Sequence, residues 1–326
     1  MNSGNLLKRM AVALLAMVAM LAFMHSAAAQ PGKKLSPPIN IANVGFQTPE
    51  SVLYDARSDV YLVANINGNP VGQDNNGFIS RVSPAGQVLQ LKWISGGPNG
   101  VTLNAPKGMA ITHGTLYVAD VNYLRKFDAN TGLPLGSIFF PEATFLNDVA
   151  ADRRGTVYVS DTGISFDAAG NVQETGSDAI YKVEQDDSVS VLAEGNALLR
   201  HPNGLAVLRH GKVQVVPFDG FGGSKEIYTI DRNGERGDVI TLPAGLMDGV
   251  IALKKGQLLV SSWETASVYL VKPNGQTRVV ASNLPNPADI GWDTRRERLL
   301  VPLFVENRVV VVPLDLDADI GDDDED

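Results

Sequence analysis

Cysteine is absent from this chain of 326 residues, which removes disulfides, thiolate metal ligands and a cysteine nucleophile together. Histidine is scarce: four residues, His25, His113, His201 and His210, offer no cluster for a soft metal. No Gly-x-Ser-x-Gly turn or Ser-His-Asp arrangement competes for the role of nucleophile. Excess positive charge is missing as well. Lysine and arginine number 27 against 36 aspartates and glutamates, a formal net charge of −9 that argues against nucleic acid as a partner. Long apolar runs are confined to residues 10–23, which is short for a membrane span.

That run reads as an address. Lys8 and Arg9 precede it and Ala27-Ala28-Ala29 follows, the charged start, apolar middle and small-residue end of a secretory signal. Residues 1–29 are therefore expected to be a signal peptide, cleaved before Gln30, and the chain to be periplasmic or secreted. Without cysteine it has no lipoprotein anchor, and no stable membrane span is expected after cleavage. At the other end, eight of the last twelve residues are acidic, so residues 315–326 are expected to form a solvated, disordered tail. The tail's Asp315-x-Asp317-x-Asp319 resembles a calcium loop, but its glycine, Gly321, falls one place late and Asp326 stands where glutamate is needed.

What the chain has in abundance is repetition. Six openings recur: Thr48-Pro49-Glu50-Ser51-Val52, Ala105-Pro106-Lys107-Gly108-Met109, Phe145-Leu146-Asn147-Asp148-Val149, His201-Pro202-Asn203-Gly204-Leu205, Leu246-Met247-Asp248-Gly249-Val250 and Asn286-Pro287-Ala288-Asp289-Ile290. Each is followed by a second apolar strand, at 60–64, 116–119, 157–160, 213–216, 258–261 and 299–302. The mean period of about 48 residues suits four-stranded blades, so residues 30–314 are expected to form an all-β, six-bladed β-propeller. The sixth unit has a third strand, 308–313, and no fourth. Because an open edge exposes unpaired backbone groups, residues 38–44 are expected to pair into the last blade and close the ring.

The first strand of each blade lines a propeller's channel, so equivalent residues face one another at one height. The third residues of the openings are Glu50, Lys107, Asn147, Asn203, Asp248 and Ala288. Two carboxylates and two amides are hard oxygen donors, suited to one divalent cation. Calcium is the first expectation, with magnesium, manganese or zinc as alternatives. A dication would remove the repulsion between Glu50 and Asp248, and Lys107 offers a second way to neutralise one of them. Loops joining second to third strands share the face of this ring. Those at 65–77, 162–178 and 219–224 are long and rich in glycine and polar residues, as pocket walls often are. Phe145, Lys107, His201 and Trp93 are candidates for lining the pocket.

Glu50, Asn147-Asp148, Asn203-Gly204 and Asp248-Gly249, one per blade in this order, resemble the gluconolactonase/regucalcin (senescence marker protein) family. The resemblance covers residues 39–313 and implies one channel metal and, for several members, lactone hydrolysis. By position it implies Glu50, Asn203 and Asp248 as metal ligands. It further implies Asn147 as a contact to substrate or metal-bound water, and Asp248 as both ligand and general base. Sugar-lactonase members often carry arginine before the channel asparagine, whereas Phe145-Leu146 stand here, which points to an ester or a more apolar lactone as the small-molecule substrate. The competing expectation is a non-catalytic propeller that binds a peptide, glycan or other ligand through its long loops around a structural metal.

Overall fold

Alternating apolar residues and tight turns fold residue by residue into short antiparallel strands. The computed structural model describes residues 35–97, 100–167, 169–220 and 224–316. Residues 1–29, expected to be a signal peptide, and the expected acidic tail beyond residue 316 lie outside the described residues. Ser36–Leu314 form one compact unit of six four-stranded sheets, each running outward from the channel, so the protein is a six-bladed β-propeller. The innermost strands are Pro49–Asp55, Pro106–Thr112, Leu146–Ala151, Pro202–Val207, Met247–Ala252 and Gly291–Asp293. In the sixth blade the outermost strand is Ile39–Ile41, which pairs antiparallel with Arg308–Pro313 through Ile39 opposite Val311. The ends of the propeller therefore meet in one sheet, and the ring has no open edge there.

The core lies between blades rather than in one centre. Val52, Tyr54, Tyr61 and Val63 of the first blade pack on Leu300, Val309 and Val311 of the last. Met109, Leu116 and Val118 of the second blade pack on Val60, Leu62 and Ala64 of the first in the same way. Outer strands are half solvated and tolerate exposed apolar residues such as Leu135 and Val279. First-to-second turns are short and carry positive φ, a two-residue reversal at His113-Gly114 (49° and 82°) and a 3-10 turn at Lys254–Gly256, where Lys255 and Gly256 stand at 61° and 74°.

Two local expectations give way. The segment 162–178 is not an open loop: Ile164–Phe166 and Val172–Glu174 pair as a small hairpin. Trp93 is not at the channel mouth. It sits in the outermost strand of the first blade, Val88–Ser95, with the Arg81 guanidinium 5.0 Å from its ring. Among the described residues no helix is long and apolar enough to cross a membrane.

Candidate functional site

Five of the six openings bulge. The register of the inner strand slips between Pro49 and Ser51, Pro106 and Met109, Leu146 and Val149, Pro202 and Leu205, and Met247 and Val250. A bulge re-aims one side chain and frees one backbone N–H from the ladder. The freed N–H finds a serine on the second strand: Asp148 N donates to Ser160 Oγ (2.9 Å) and Gly249 N to Ser261 Oγ (2.8 Å). Those hydroxyls in turn donate to the next blade, Ser160 to the Asn203 carbonyl (2.7 Å) and Ser261 to that of Ala288 (2.9 Å). Ser51 Oγ reaches the Lys107 carbonyl (2.6 Å), and Asp289 N reaches that of Glu50 (2.9 Å). Four of the six third-position residues thus have their carbonyls pinned across a blade interface, which fixes where their side chains point.

Those side chains are buried, and three carry bare oxygens. Glu50, Asn203 and Asp248 are 5 %, 3 % and 4 % exposed, and Glu50 Oε2, Asn203 Oδ1 and Asp248 Oδ1 have no hydrogen-bond partner. Buried polar atoms normally find one, so these three oxygens are the ones that could hold a cation. Burial first, then the facing Asp248, push the Glu50 carboxyl well above the ordinary range, with Lys107 pulling it back. Burial takes Asp248 up to about 8. The Trp263 indole opposes that rise, Asp148 adds to it, and the Asn203 amide opposes it again. Trp263 Nε1 is near enough to act on Asp248, yet it closes no well-formed hydrogen bond and is itself buried without a partner.

The other sequence candidates fall into different roles. Asn147 Nδ2 donates to Thr162 Oγ1 (2.9 Å), and Thr162 donates onward to the Pro202 carbonyl (2.9 Å). Because the threonine spends its proton on Pro202 it must accept from Asn147, which settles the amide's orientation and turns Oδ1 away from Thr162. Asn147 keeps one further N–H for an incoming group. Lys107 is 1 % exposed, donates to the Ala105 carbonyl (3.1 Å), and lies 4.4 Å over the Phe145 ring. Burial lowers its pKa to about 8, against the pull of Glu50, Asp120 and Asp161. Phe145 is buried beside Phe166. His201 is also buried, and both ring nitrogens are engaged, Nδ1 with the Thr162 carbonyl (2.9 Å) and Nε2 with the Asn196 amide (2.9 Å). It stitches loops together around Asp178, which accepts its backbone N–H at 2.7 Å.

Among the described residues no three His, Cys, Asp or Glu side chains are placed to share a metal. The set here is two carboxylates plus amide oxygens, all hard donors, with water able to complete the shell, and it fits a calcium-like ion. Sequence reading left two acids unassigned. Asp148 and Asp289 occupy the fourth position of their openings, where four blades carry serine or glycine. They line a cavity of about 340 Å³ that reaches the opposite mouth beside Trp292. Burial, and then Asp148, Glu50 and Asp248, push Asp289 well above the ordinary range. Comparing fourth positions as well as third would have found both.

Six blades closed by an N-terminal strand define the class, and a profile of the SMP-30/gluconolactonase/LRE-like region matches residues 48–301. The chain belongs to that family. A gluconolactonase from Xanthomonas campestris superposes with a TM-score of 0.63 at 19 % identity, over 85 % of this chain and 89 % of that one. A putative gluconolactonase gives 0.62 at 17 % identity (87 % and 95 % covered), and luciferin-regenerating enzyme gives 0.60 at 13 % (85 % and 96 % covered). At such identities the likeness is one of fold. No curated protein sequence matches the chain significantly.

Proposed function

We propose that the chain is an exported, metal-dependent hydrolase of a lactone or ester, working at the mouth ringed by Glu50, Asn147, Asn203 and Asp248. The observation that carries this reading is the convergence of three buried, unpartnered oxygens on Glu50, Asn203 and Asp248. Family membership supports it through the gluconolactonases. A divalent cation held by those three residues, with Asn147 beside it, would polarise the substrate carbonyl and lower the pKa of the attacking water. Asp248 takes the proton from that water, and the free N–H of Asn147 meets the developing oxyanion. The carboxylates of Glu50 and Asp248 match the charge of a dication, and Lys107 stands close enough to Glu50 to favour its ionised form. Export rests on Lys8, Arg9, the run 10–23 and Ala27–Ala29; sequencing the N-terminus of the secreted or periplasmic protein should read Gln30 first.

The test is a panel of lactones and aryl esters assayed after chelation and then with added Ca²⁺, Mn²⁺ or Zn²⁺. Turnover should vanish with chelator and return with one of the ions. Glu50→Gln should raise the metal concentration needed while leaving turnover at saturation nearly intact. A metal-loaded protein that cleaves none of the panel yet captures ligands would instead be a binding propeller.

A further inference from the structure

One more repeat position faces the same mouth. In every blade the second residue of the opening pairs with the last residue of the second strand: Pro49 with Asn65, Pro106 with Asp120, Leu146 with Asp161, Pro202 with Pro217, Met247 with Ser262, Pro287 with Leu303. The residue that follows is therefore equivalent around the ring. The six are Ile66, Val121, Thr162, Phe218, Trp263 and Phe304. Backbone bonds bear out the equivalence in five blades, where this residue's N–H donates to the carbonyl of the first opening residue. Ile66 reaches Thr48 (3.1 Å), Thr162 reaches Phe145 (3.0 Å), Phe218 reaches His201 (2.9 Å), Trp263 reaches Leu246 (3.0 Å) and Phe304 reaches Asn286 (3.2 Å).

Five of the six side chains are apolar, and they touch in sequence. Phe218 packs edge-on against Trp263 (5.5 Å between ring centres), and Trp263 lies 5.4 Å from Phe304. Phe304 packs on the cluster of Ile66, Ala105 and Val121. An apolar arc thus runs through blades four, five, six, one and two. It is broken only at blade three, where the Thr162 hydroxyl orients Asn147. The three aromatic residues are only partly buried, and the unpartnered Trp263 N–H stands beside Asp248.

We propose that this arc is the specificity surface of the site and that it receives an aromatic or alkyl substituent of the substrate, whose carbonyl points toward Asn147 on the polar side. The proposal rests on the hydrolase reading and narrows its substrate class. A polyhydroxylated lactone would set its hydroxyls against side chains that offer no partner but one indole N–H, and buried hydroxyls without partners oppose binding. An apolar substituent loses nothing there and leaves water.

The experiment compares kcat/KM for 1-naphthyl acetate and γ-decalactone with that for γ-butyrolactone and D-glucono-δ-lactone, at saturating metal. Wild type should favour the first pair by about tenfold or more. Phe304→Ala and Phe218→Ala should each erase most of that preference while γ-butyrolactone turnover changes little, and Phe304→Leu should keep it. A preference for D-glucono-δ-lactone, or equal losses on large and small substrates in variants with unchanged melting, would overturn the proposal. A second readout separates it from the hydrolase reading: binding of 1-naphthol to the metal-loaded protein, followed by naphthol fluorescence. Naphthol bound by wild type and lost in Phe304→Ala, with no ester cleaved, would remove the hydrolase and keep the apolar surface. Esters cleaved without size preference and without naphthol binding would do the reverse. If Phe304→Ala fails to fold, Phe218→Ala carries the same comparison from the other flank of Trp263.

Discussion

Asp148 and Asp248 are buried carboxylates one place apart in the repeat, and their surroundings are opposite. Asp148 Oδ1 accepts the Val149 N–H (2.6 Å) and Oδ2 accepts the Leu205 N–H (2.6 Å) from the next blade. Burial raises it to about 6, and those two N–H groups restrain the rise. Asp248 has an oxygen with no donor at all, and burial takes it to about 8. Its neighbours repeat the contrast in amides, since Asn147 gives its Nδ2 to Thr162 while Asn203 Oδ1 is bare. The lesson is that a buried acid whose oxygens the backbone has already claimed acts as a staple between blades. One whose oxygen is unclaimed waits for a charge from outside the chain.

The sharpest way to break that contrast is to neutralise each acid in turn. Asp248→Asn keeps an oxygen donor but loses the proton acceptor, so turnover should fall by about 10²-fold or more, beyond what weaker metal binding explains. Above about pH 8 the metal-free form of this variant should melt higher than wild type, because the buried charge that wild type must carry there is gone. Asp148→Asn should do the opposite: it sets an amide N–H against a backbone N–H and costs roughly 1–3 kcal/mol of stability. Turnover at saturating metal should stay within a few-fold. Melting curves and metal titrations of the two variants decide it, and a stable, inactive Asp148→Asn would erase the distinction.

The next effect is a pH dependence that metal should weaken. In the metal-free protein Asp248 and Glu50 bind protons more tightly folded than unfolded, since burial raises both. The folded state then holds more protons between about pH 4 and about pH 8, so stability falls as pH rises through that window. The loss is on the order of several kcal/mol from Asp248 alone, at about 1.4 kcal/mol for each unit. Lys107, lowered to about 8, acts in the opposite sense and only above that window, where the unfolded chain binds the extra proton. Melting in chelator should therefore drop between pH 5 and pH 8, and excess calcium should remove the share due to Asp248 and Glu50 while leaving that of Asp148 and Asp289. A flat curve in chelator would mean that the two carboxylates are already compensated within the chain.

How much of this was legible in the sequence follows the same division. Six openings in register made the propeller, its closing segment at 38–44 beside the strand 308–313 and the ring of third residues readable, because the repeat fixes which strand each blade should hold. The second strands were read one residue short at the channel end in every blade, stopping at Ala64, Ala119, Ser160, Val216, Ser261 and Pro302. The residues missed include Asn65, Asp120 and Asp161, which look like turn formers but remain in the ladder. They use their side chains to hold the preceding loops, as Asp120 Oδ1 does for Ala105 N at 2.7 Å. Losing that last residue hid the position after it, and with it the aromatic arc. His201 and Lys107 were read as pocket residues from their place in the openings. Their partners, Thr162, Asn196 and Ala105, are contacts no spacing rule predicts.

The smallest expected effect tests whether the pinning of the ring matters to the site or only to the fold. Ser261 and Ser262 are adjacent in one strand, and both are buried. Ser261 Oγ accepts from Gly249 N and donates to the Ala288 carbonyl, so it holds the bulge that carries Asp248. Ser262 Oγ donates to the Gly245 carbonyl (2.7 Å), outside the bulge. Replacing either by alanine strands buried backbone groups and should cost about 1–3 kcal/mol, so melting should fall in both. Only Ser261→Ala frees the backbone next to a proposed ligand, so only it should weaken metal binding, by a few-fold, with kcat at saturating metal nearly preserved. Calorimetric titration of calcium into the two variants reads the difference. Equal affinities would show that the serine bond shapes the blade and leaves the placement of Asp248 to the burial of its own side chain.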